Sequence, residues 1–568
     1  MSYIIGISSF YHDSSVAIVK DNILIDYLKE ESFTRIKGNS VFPKRSLLHL
    51  VKKYNLTNSK IQACVFYEKP FLSWSIITLF SLKKPFERWK ISSSQFKKLW
   101  SGSLSFSTYT KKILNLDENK NLYAPHHMSH ALTAISFDKK IENKDRLIFV
   151  IDAVGDGETI SIFKNSNKTF KKIFVEEYPN SLGLFYSAVT DYLGYSVNEG
   201  EYKVMGLASY GTPVYKDYIL ENIISWKNEK LFFNLKWFDF DKNPEKTYSK
   251  IFEDFFGKIP NKKHFNNIKS SEFKRLANIA ASFQTALEEI LKKIVSWAIK
   301  KTGITNVYFS GGVALNSRAM QKIAEMEVVK KFTIPPSPSD TGSSIGAASF
   351  GNFVLNKRFL NETSLFFSNN FFFPKTNILL QLFDEIKHDD FFGYISRLIS
   401  QNQYLCTFVD GAEIGPRALG HRSILCSAKE ISLKNDLNRN KKGREHFRPM
   451  APIVQKENLS RYFYTKKKYQ HNLEWMGMTL NCKELTLKHY PSCIHVDKTS
   501  RVQVVSNKNL FIYKLLNKLK KYNHELILNT SFNYAGDPIV FDYIDCYTAM
   551  KKMGLNYLVT ENKIFVIK

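Results

Sequence analysis

Short apolar runs separated by polar turns open the chain and predict β-strands. Residues 3–7, 16–19 and 23–27 are rich in Ile, Val, Leu and Tyr, which is typical of strands in a buried sheet. The turn between the first two runs contains Ser8, Ser9, His12, Asp13, Ser14 and Ser15. We expect a hairpin whose turn presents hydroxyl groups and backbone amides to an anion.

A second apolar run at 147–151 also predicts a strand, and glycines and carboxylates follow it. The run leads into Asp152 and then into a loop at 152–159 that contains Gly155 and Gly157. We interpret this segment as a strand followed by a phosphate-cradling turn.

Helical spacing dominates residues 275–301, and Gly303 is placed to end that predicted helix. A strand at 306–309 then leads into Gly311, Gly312 and Asn316 before another helix. Glycines at such a turn let the backbone approach a nucleotide, although the same turn is more often structural.

Two histidines four residues apart, His126 and His130, carry the clearest chemical signal. A helix starting near Pro125 would place both imidazoles on one face. Alone, this spacing is more often a surface arrangement than a metal site. Asp152 at a strand end and Asp340 at the start of a small-residue helix add two carboxylates. Two His and two Asp would suit a divalent transition metal such as iron or manganese.

The composition predicts a globular protein of two to four domains, since 568 residues with 44% hydrophobic composition can bury large cores. Neither a secretory signal nor a membrane span is expected, because the apolar stretch at 71–82 is too short, and cytoplasm is the default location. Six cysteines without C-x-x-C spacing indicate ordinary reduced thiols.

The net charge of +28 attracts polyanions, but lysines spread along the chain fit a compositional bias better than a nucleic-acid groove.

Basic residues set among glycines and prolines form a second polar focus in the later part of the chain. Residues 411–423 and 437–449 hold Arg417, Arg422, Lys442, Arg444 and Arg448. Arginine offers a planar fork to phosphate oxygens, so these loops are predicted to clamp several phosphates, with a plain basic surface as the alternative. A Phe- and Asn-rich texture at 356–390 precedes this region and predicts a junction between domains.

Taken together, these motifs resemble the O-carbamoyltransferase family of nodulation-factor and antibiotic biosynthesis. The segments that carry the resemblance occur in the family's order along nearly the whole chain, at 6–15, 30–43, 126–130, 152–158, 203–211, 310–316, 339–342, 415–420, 444–452, 500–503, 528–533 and 536–540. The resemblance implies an α/β protein with an actin-like ATPase domain at 1–355, the junction at 356–390, and a YrdC-like α/β domain at 391–568.

The family chemistry implied by this resemblance has two steps. Carbamoyl phosphate and ATP would give carbamoyl-adenylate in the second domain, and an acceptor hydroxyl would take the carbamoyl group in the first. ATP, a divalent metal (Fe²⁺ first, Mn²⁺ or Mg²⁺ as alternatives), carbamoyl phosphate and a hydroxyl-bearing small-molecule or glycan acceptor are the implied cofactors and partners. No nucleic-acid partner is expected, and a homodimer is left open.

Each matching motif then implies roles for its own residues. The metal would be held by His126, His130, Asp152 and Asp340, and His12 or Asp13 would take the acceptor's proton. The catalytic residues of the second domain would be Arg417 and Lys442. The nucleotide and phosphate ligands would be Ser14, Gly155, Gly157, Lys203, Gly311, Gly312, Asn316, Arg422, Arg444, Arg448, Arg501, Asn529 and Ser531. The rival hypotheses are a small-molecule kinase of the actin-like superfamily and a non-catalytic relative that binds a polyanion or tRNA.

Overall fold

Two compact units make up the chain in the computed structural model. The structure describes residues 2–138, 144–166, 168–261, 264–265, 267–361, 363–367, 376–409, 411–508 and 510–568. Unit 1 comprises Met1–Glu30 and Gly38–Thr363, and unit 2 comprises Glu31–Lys37 and Ser364–Lys568. The change of unit at 363–364 falls inside the predicted junction at 356–390, of which 362 and 368–375 lie outside the described residues. The assignment of Glu31–Lys37, with helix α1 (Glu31–Thr34), to unit 2 was not anticipated from the sequence.

The first sheet of unit 1 begins with the predicted hairpin. Strands β1 and β2 pair antiparallel with Ser8 opposite Ser15, so the polar turn lies where the sequence placed it. The sheet order is β3-β2-β1-β4-β5, with β4 and β5 parallel to β1. Its strands are β1 (Tyr3–Ser8), β2 (Ser15–Lys20), β3 (Ile23–Lys29), β4 (Ile61–Phe66) and β5 (Asn121–Tyr123).

The second sheet of unit 1 repeats that arrangement. Three antiparallel strands are followed by two parallel ones, in the order β12-β11-β6-β7-β8. Its strands are β6 (Arg146–Gly155), β7 (Glu158–Ser166), β8 (Thr169–Glu177), β11 (Asn306–Ser310) and β12 (Lys331–Thr333), and a separate hairpin is formed by β9 (Ile224–Lys227) and β10 (Lys230–Phe233). Two sheets of the same strand order fit the actin-like architecture that the resemblance implied.

Helices cover both sheets of unit 1. The predicted helix at 275–301 is α11, which ends at Gly303 in the left-handed conformation as expected. Helix α13 packs so closely that a Cβ on Gly6 would lie 1.9 Å from the Ser344 carbonyl oxygen, and one on Gly346 would lie 1.8 Å from that of Ser129. The helices are α2 (Lys44–Tyr54), α3 (Pro70–Leu82), α4 (Pro85–Ser101), α5 (Phe106–Leu114), α6 (His126–Ser136), α7 (Leu182–Tyr192), α8 (Glu201–Ala208), α9 (Lys216–Asn222), α10 (Lys250–Phe256), α11 (Ser271–Thr302), α12 (Ser317–Glu325) and α13 (Asp340–Asn356).

Unit 2 is built on an eight-stranded mixed sheet in the order β14-β24-β23-β15-β17-β22-β18-β21. Helices α15 and α19 contribute apolar side chains to its core. The strands are β13 (Phe366–Phe367), β14 (Phe383–Ile386), β15 (Leu405–Phe408), β16 (Ala412–Glu413), β17 (Arg422–Ser427), β18 (Ala451–Gln455), β19 (Leu480–Asn481), β20 (Thr499–Ser500), β21 (Gln503–Val505), β22 (Leu526–Ser531), β23 (Tyr557–Val559) and β24 (Ile564–Ile567). The helices are α14 (Thr376–Leu382), α15 (Phe391–Ser400), α16 (Ile431–Asp436), α17 (Leu459–Tyr462), α18 (Glu484–His489), α19 (Phe511–Leu519) and α20 (Tyr543–Met553). The predicted α/β class is confirmed.

Among the described residues, no helix is both long enough and apolar enough to cross a bilayer.

Candidate metal centre and cation cluster

Helix α6 carries the two histidines and begins at His126, directly after the extended Pro125, as the sequence predicted. The i, i+4 spacing puts both imidazoles on one face. Asp156 fixes the start of the helix, because its carboxylate accepts the His126 backbone N–H at 2.7 Å and the Lys69 backbone N–H at 2.8 Å. Asp156 was not predicted as a site residue, because its role depends on backbone amides that only the fold brings together.

The carboxylate of Asp152 reaches the histidines from a β-bulge. The pairing of β6 with β7 shifts register between Ile151 and Gly155, and Asp152 lies in that interval. Bulges change the direction in which a strand residue points. Ser181 supports the bulge, since its hydroxyl donates to the carbonyl oxygens of Asp152 at 3.1 Å and Ala153 at 2.7 Å.

Asp340 completes the cluster from the first turn of α13, where the helix dipole favours a carboxylate. One ligand atom from each of His126, His130, Asp152 and Asp340 lies within 4.8 Å of all the others. His130 Nε2 lies 3.0 Å from Asp152 Oδ2 and 3.1 Å from Asp340 Oδ1, and the corresponding distances from His126 Nε2 are both 3.6 Å. The two Nε2 atoms are 3.1 Å apart.

These spacings fit a divalent metal. Ligand bonds of about 2.1 Å give ligand–ligand edges of about 3.0 Å in an octahedron and about 3.4 Å in a tetrahedron. The mutual proximity of two imidazole nitrogens and two carboxylate oxygens also suits a cation bound among them. The donor set therefore fits the divalent metal predicted from the sequence.

The electrostatics of this cluster favour positive charge. Burial alone would lower the pKa of His130, but hydrogen bonds to Asp152 and Asp340 outweigh it and raise the pKa to about 10. The pKa of His126 is also raised, against the effect of burial, by the charge of Asp340 and a hydrogen bond to Asp152. Although burial opposes it, the hydrogen bonds from the same two histidines hold the pKa of Asp152 well below its usual range.

His127, the residue between them, has a different environment. Its Nδ1 lies 2.7 Å from Ser161 Oγ, and burial holds its pKa well below the usual value. This side chain is buried like its neighbours but is not among the four that form the cluster.

His12 and Asp13 lie beside the cluster. His12 Nε2 is 3.5 Å from Asp340 Oδ2, and His12 Nδ1 is 2.9 Å from Asp13 Oδ2. Burial opposes protonation of His12, but the hydrogen bond to Asp13 and the charge of Asp340 raise its pKa to about 9. The structure thus brings the predicted base candidates next to a predicted metal ligand.

The first hairpin contains three buried hydroxyl groups that lack a hydrogen-bond partner among the described residues. They are the Oγ atoms of Ser8, Ser9 and Ser14. Buried donors are normally satisfied, so these hydroxyls are suited to a polar ligand, and the role of Ser14 in binding a nucleotide stays a prediction. Gly311 and Gly312 lie across from the bulge. A Cβ on Gly312 would be 3.0 Å from Asp152 Oδ1, so the glycine leaves room for the ligand carboxylate.

The interpretation of 152–159 as a strand followed by a phosphate-cradling turn is wrong in its geometry. Strand β6 continues to Gly155, and a two-residue turn at Asp156 and Gly157, both with positive φ, joins it to β7. Asp-Gly is a favoured pair for such a hairpin turn. A Cβ on Gly155 would lie 1.9 Å from His126 Cδ2, and one on Gly157 would lie 2.5 Å from Ile76 Cδ1. Both glycines are therefore explained by packing and backbone conformation rather than by a phosphate cradle.

Two other predicted nucleotide ligands of unit 1 have structural contacts. Asn316 caps α12 by accepting the Ala319 N–H at 3.1 Å, and its amide pairs with Gln284 at 2.9 and 3.0 Å. Lys203 places its ammonium over the Tyr195 ring, 5.0 Å from the centroid. The capping and pairing of Asn316 explain this residue without a nucleotide.

Unit 2 contains the predicted cluster of cations. Burial, together with the charges of Arg417, Arg448 and Arg444, lowers the pKa of Arg501 well below its usual value. Because a guanidinium does not give up its proton in proteins, the direction of this shift indicates that burial and three neighbouring arginines destabilise the charged Arg501, an effect that a bound anion would offset. The Nε of Arg501 is buried and has no hydrogen-bond partner within the described residues.

Lys442 and Arg444 reach the end of β22. The fully buried Lys442 ammonium donates to the Ser531 carbonyl oxygen and, at 3.2 Å, to Asn533 Oδ1. Arg444 donates to Thr530 Oγ1 at 3.1 Å and to Ser531 Oγ at 3.4 Å. Burial and the neighbouring charges of Arg444 and Arg448 lower the pKa of Lys442 well below its usual value.

Asn529 lies two residues earlier on β22. Its amide nitrogen donates to the Ala418 carbonyl oxygen and to Gln503 Oε1, both at 2.9 Å, and its Oδ1 is buried without a partner in the described part of the chain. Asn529 thus ties the strand to the loop that carries Arg417.

Arg422 differs from the other predicted phosphate ligands. It is almost completely buried, donates to the carbonyl oxygens of Val409 and His421, and lies over the Phe408 ring at 3.8 Å from the centroid. These contacts correct its assignment as a phosphate ligand, because its guanidinium is engaged in holding the loop.

Glu413 was not predicted, yet it organises the same loop. Its Oε1 accepts the backbone N–H groups of Leu419 at 2.8 Å, His421 at 3.0 Å and Arg422 at 2.9 Å. No residue pattern marks it in the sequence, because its partners are backbone amides.

Comparison with known proteins assigns the family. Residues 3–349 match the family model described as carbamoyltransferase N-terminus, and residues 396–567 match the one described as carbamoyltransferase C-terminus. The chain belongs to this carbamoyltransferase family and is therefore a transferase enzyme, as predicted.

Relatives agree along most of the chain. An uncharacterised protein of Synechocystis sp. is 30% identical over 99% of this chain and 96% of its own length. Nodulation protein NolNO of Sinorhizobium fredii is 26% identical over 97% of this chain and 78% of its own length.

Solved structures show only remote likeness. Component A of the (R)-2-hydroxyglutaryl-CoA dehydratase of Acidaminococcus fermentans has a TM-score of 0.33 at 12% identity, covering 61% of this chain and 96% of its own. HypF of T. kodakarensis has a TM-score of 0.34 at 14% identity, covering 64% and 49%. At these scores neither neighbour bears on the function.

Proposed function

We propose that this carbamoyltransferase is ATP-dependent and divides its chemistry between the two units. Unit 2 forms carbamoyl-adenylate from carbamoyl phosphate and ATP, and unit 1 transfers the carbamoyl group to a hydroxyl of a small molecule or glycan. The observation that carries the proposal is the contrast between the two centres: unit 1 has a cluster that contains two carboxylates, and unit 2 has a cluster of cations.

The cations of unit 2 suit the first reaction because its reactants carry many phosphate charges. Arg417, Lys442, Arg444, Arg448 and Arg501 are the residues proposed to neutralise and position them. A water molecule hydrolyses carbamoyl phosphate, the bond between the carbamoyl group and the phosphate breaks, and phosphate and carbamate are released. The carbamate oxygen then attacks the α-phosphorus of ATP, and pyrophosphate leaves with the electron pair of the broken P–O bond.

The centre of unit 1 suits the second reaction. His126, His130, Asp152 and Asp340 would hold a divalent metal, which supplies Lewis-acid stabilisation of phosphate charge when bound. Ser8, Ser9 and Ser14 offer hydroxyl groups to the adenylate. The acceptor oxygen attacks the carbamoyl carbon, the bond to the AMP phosphate oxygen breaks, and AMP leaves.

The hydroxyl proton needs an acceptor, for which His12 and Asp13 are the proposed candidates. With a pKa of about 9, His12 is mostly protonated at neutral pH, so Asp13 is the candidate that takes the proton and His12 orients it through their hydrogen bond of 2.9 Å. The distance of 3.5 Å between His12 Nε2 and Asp340 Oδ2 supports a role for this pair at the centre proposed to hold the adenylate phosphate.

An acceptor-free assay tests the division of labour. Purified protein is incubated with ATP, carbamoyl phosphate and Fe²⁺ or Mg²⁺, and mass spectrometry follows carbamoyl-adenylate and pyrophosphate. We expect both products from the unaltered protein and from His126→Ala, and loss of both from Arg417→Ala. Arg461→Ala is the matched control, because Arg461 is an exposed arginine of unit 2 paired with Glu525.

Each rival hypothesis predicts a different result. A small-molecule kinase would give ADP and a phosphorylated acceptor without any need for carbamoyl phosphate. A non-catalytic polyanion- or tRNA-binding relative would bind ATP or RNA and give neither product. Normal adenylate formation by Arg417→Ala would remove the proposed role of that loop.

A further inference from the structure

Helices α3 and α4 form a helical hairpin with an unusually apolar exterior. Helix α3 has no charged residue in its 13 positions, and Lys83 and Lys84 connect it to α4. Leu72, Leu79 and Leu82 are all exposed and share one stripe of α3, at i, i+7 and i+10. The first turn of α4 continues this exterior with Phe86, whose side chain is 96% exposed.

The opposite side of the hairpin is fixed to unit 1. Arg88 makes a buried ion pair with Asp241 at 2.9 Å and lies over the Phe80 ring. The Lys69 amide at the base of α3 bonds to Asp156, which also holds the first turn of α6. The exposed side chains are therefore presented by helices held at both their base and their middle.

The charge of the hairpin indicates what kind of partner its exposed surface binds. Residues 70–101 contain six basic residues, of which Arg88 is buried in its ion pair with Asp241, and one acidic residue, Glu87, which pairs with Lys84. Lys83 and Lys90 are exposed among the apolar side chains, as is Trp89. Aromatic and aliphatic side chains flanked by lysines are the composition of helices that lie in the headgroup region of anionic membranes.

The length of the helix excludes a spanning role. A span needs about 20 apolar residues, and α3 has 13. We propose that the α3–α4 hairpin docks on the surface of an anionic bilayer, with Leu79, Leu82, Phe86 and Trp89 entering the headgroup region and Lys83 and Lys90 contacting lipid phosphates.

This docking would place the metal centre near the bilayer. Helix α3 rises about 20 Å from its base to its end, at 1.5 Å per residue, and its base is joined to α6 through Asp156. The docking does not depend on the proposed carbamoylation chemistry, since only the surface of the hairpin is involved.

Flotation of the full chain with vesicles tests the proposal. We expect the protein to float with phosphatidylcholine vesicles that contain phosphatidylglycerol, and much less with phosphatidylcholine alone. In Leu82→Asp/Phe86→Asp, binding should fall at least about tenfold, because burial of large apolar side chains is lost. Lys83→Glu/Lys90→Glu should lose the preference for phosphatidylglycerol.

The matched control is Val214→Asp/Ile251→Asp, which adds the same charge at two exposed apolar positions elsewhere on unit 1. It should float like the unaltered protein. Far-UV circular dichroism and thermal unfolding of all variants should match those of the unaltered protein, which would show that unit 1 is folded. Carbamoyl-adenylate formation without acceptor, measured in parallel, should also be unchanged. A failure of the proposed function would appear only in that second assay.

Three results would overturn the docking. One is absence of flotation by the unaltered protein, and another is equal flotation by Leu82→Asp/Phe86→Asp. The third is self-association in sedimentation velocity that Leu82→Asp/Phe86→Asp abolishes while vesicles remain unbound, which would make the hairpin a contact between two copies of the chain.

Discussion

The candidate metal centre of unit 1 is largely buried, whereas the cation cluster of unit 2 combines the buried Lys442 with partly exposed arginines, and the two centres differ in the sign of the charge that a ligand would supply. In the first, two carboxylates raise the pKa of His130 to about 10. In the second, burial and neighbouring arginines lower the pKa of Lys442 and Arg501. The carboxylates of the first centre favour an added cation, and the crowded cations of the second favour an added anion.

This contrast separates the two clusters more clearly than their residue types do. Buried charges are costly unless they are compensated. A fold that brings two carboxylates together in one centre and five cations together in the other indicates that a ligand of the opposite sign completes each centre. Pyrophosphate or ATP would complete the cluster in unit 2, and a divalent metal would complete the centre in unit 1.

The largest effect on the difference between the two centres is expected from removing one proposed metal ligand. His130→Ala deletes the imidazole that contacts both carboxylates, and we expect metal affinity to fall more than about 100-fold, beyond the usual effect of an outer-shell change. Carbamoyl transfer should be lost while adenylate formation persists. Metal content after dialysis and the two product assays measure this.

His127→Ala is the control for that variant. His127 is an equally buried histidine of the same helix, but its ring faces Ser161. If it lowered metal affinity as much as His130→Ala, the loss would reflect damage to α6, and the assignment of the centre would fall.

The corresponding change in unit 2 removes one guanidinium. Arg444→Ala takes away a cation that helps to lower the pKa of both Lys442 and Arg501. We expect adenylate formation to fall about 100-fold, as for the loss of one electrostatic contact to a reacting group, with metal affinity unchanged. Pyrophosphate release gives the rate, and Arg461→Ala, at an exposed pair, should be normal. Loss of metal binding in Arg444→Ala would show that the two centres are not independent.

Much of the metal centre was predictable because its signals are local. The i, i+4 spacing of His126 and His130 is a property of one helix. Asp340 begins another helix, which the small residues that follow it predict. Asp152 was found for a partly wrong reason, since it lies in a bulge within β6 and not after the strand. A bulge leaves little trace in the sequence.

The parts that could not be predicted depend on backbone partners and on burial. Asp156 and Glu413 bind amide groups, which every residue possesses. Arg417 and Arg422 look alike in the sequence, but only Arg422 is enclosed against Phe408. The duplicated sheet order of unit 1 likewise arises from long-range pairing that the apolar runs do not specify.

A smaller effect should come from crowding the metal centre without removing a ligand. Gly155→Ala puts a Cβ 1.9 Å from His126 Cδ2, so the ring must move. Gly312→Ala puts one 3.0 Å from Asp152 Oδ1, which a small shift can relieve. We expect metal affinity to fall about tenfold or more in the first and by less in the second, on the scale of indirect changes to a metal site. Metal titration ranks the two, and the reverse order would mean that Asp152 is more tightly constrained than His126.

Ligand affinity in the two centres should also change with pH in opposite directions. The smallest expected effect, and the most specific test, concerns Lys442. Its pKa is lower in the folded protein than the value near 10.4 expected when the chain unfolds. The unfolded chain therefore binds the proton more tightly, and the free energy of unfolding rises with pH until about 10.4. In Lys442→Met this slope should be reduced, and unit 2 should be more stable by about 1 kcal/mol at neutral pH, because a buried charge is replaced by an apolar chain of similar size.

Hydrogen exchange in β22, where Ser531 accepts the Lys442 ammonium, reports that stability. An anion in unit 2 favours protonated Lys442, so pyrophosphate affinity should fall as pH rises, and by less in Lys442→Met. Metal affinity in unit 1 should rise over the same range, since imidazoles must release protons to bind a metal. Parallel slopes in the two units would contradict the assignment of opposite charge, whatever the variants do to activity.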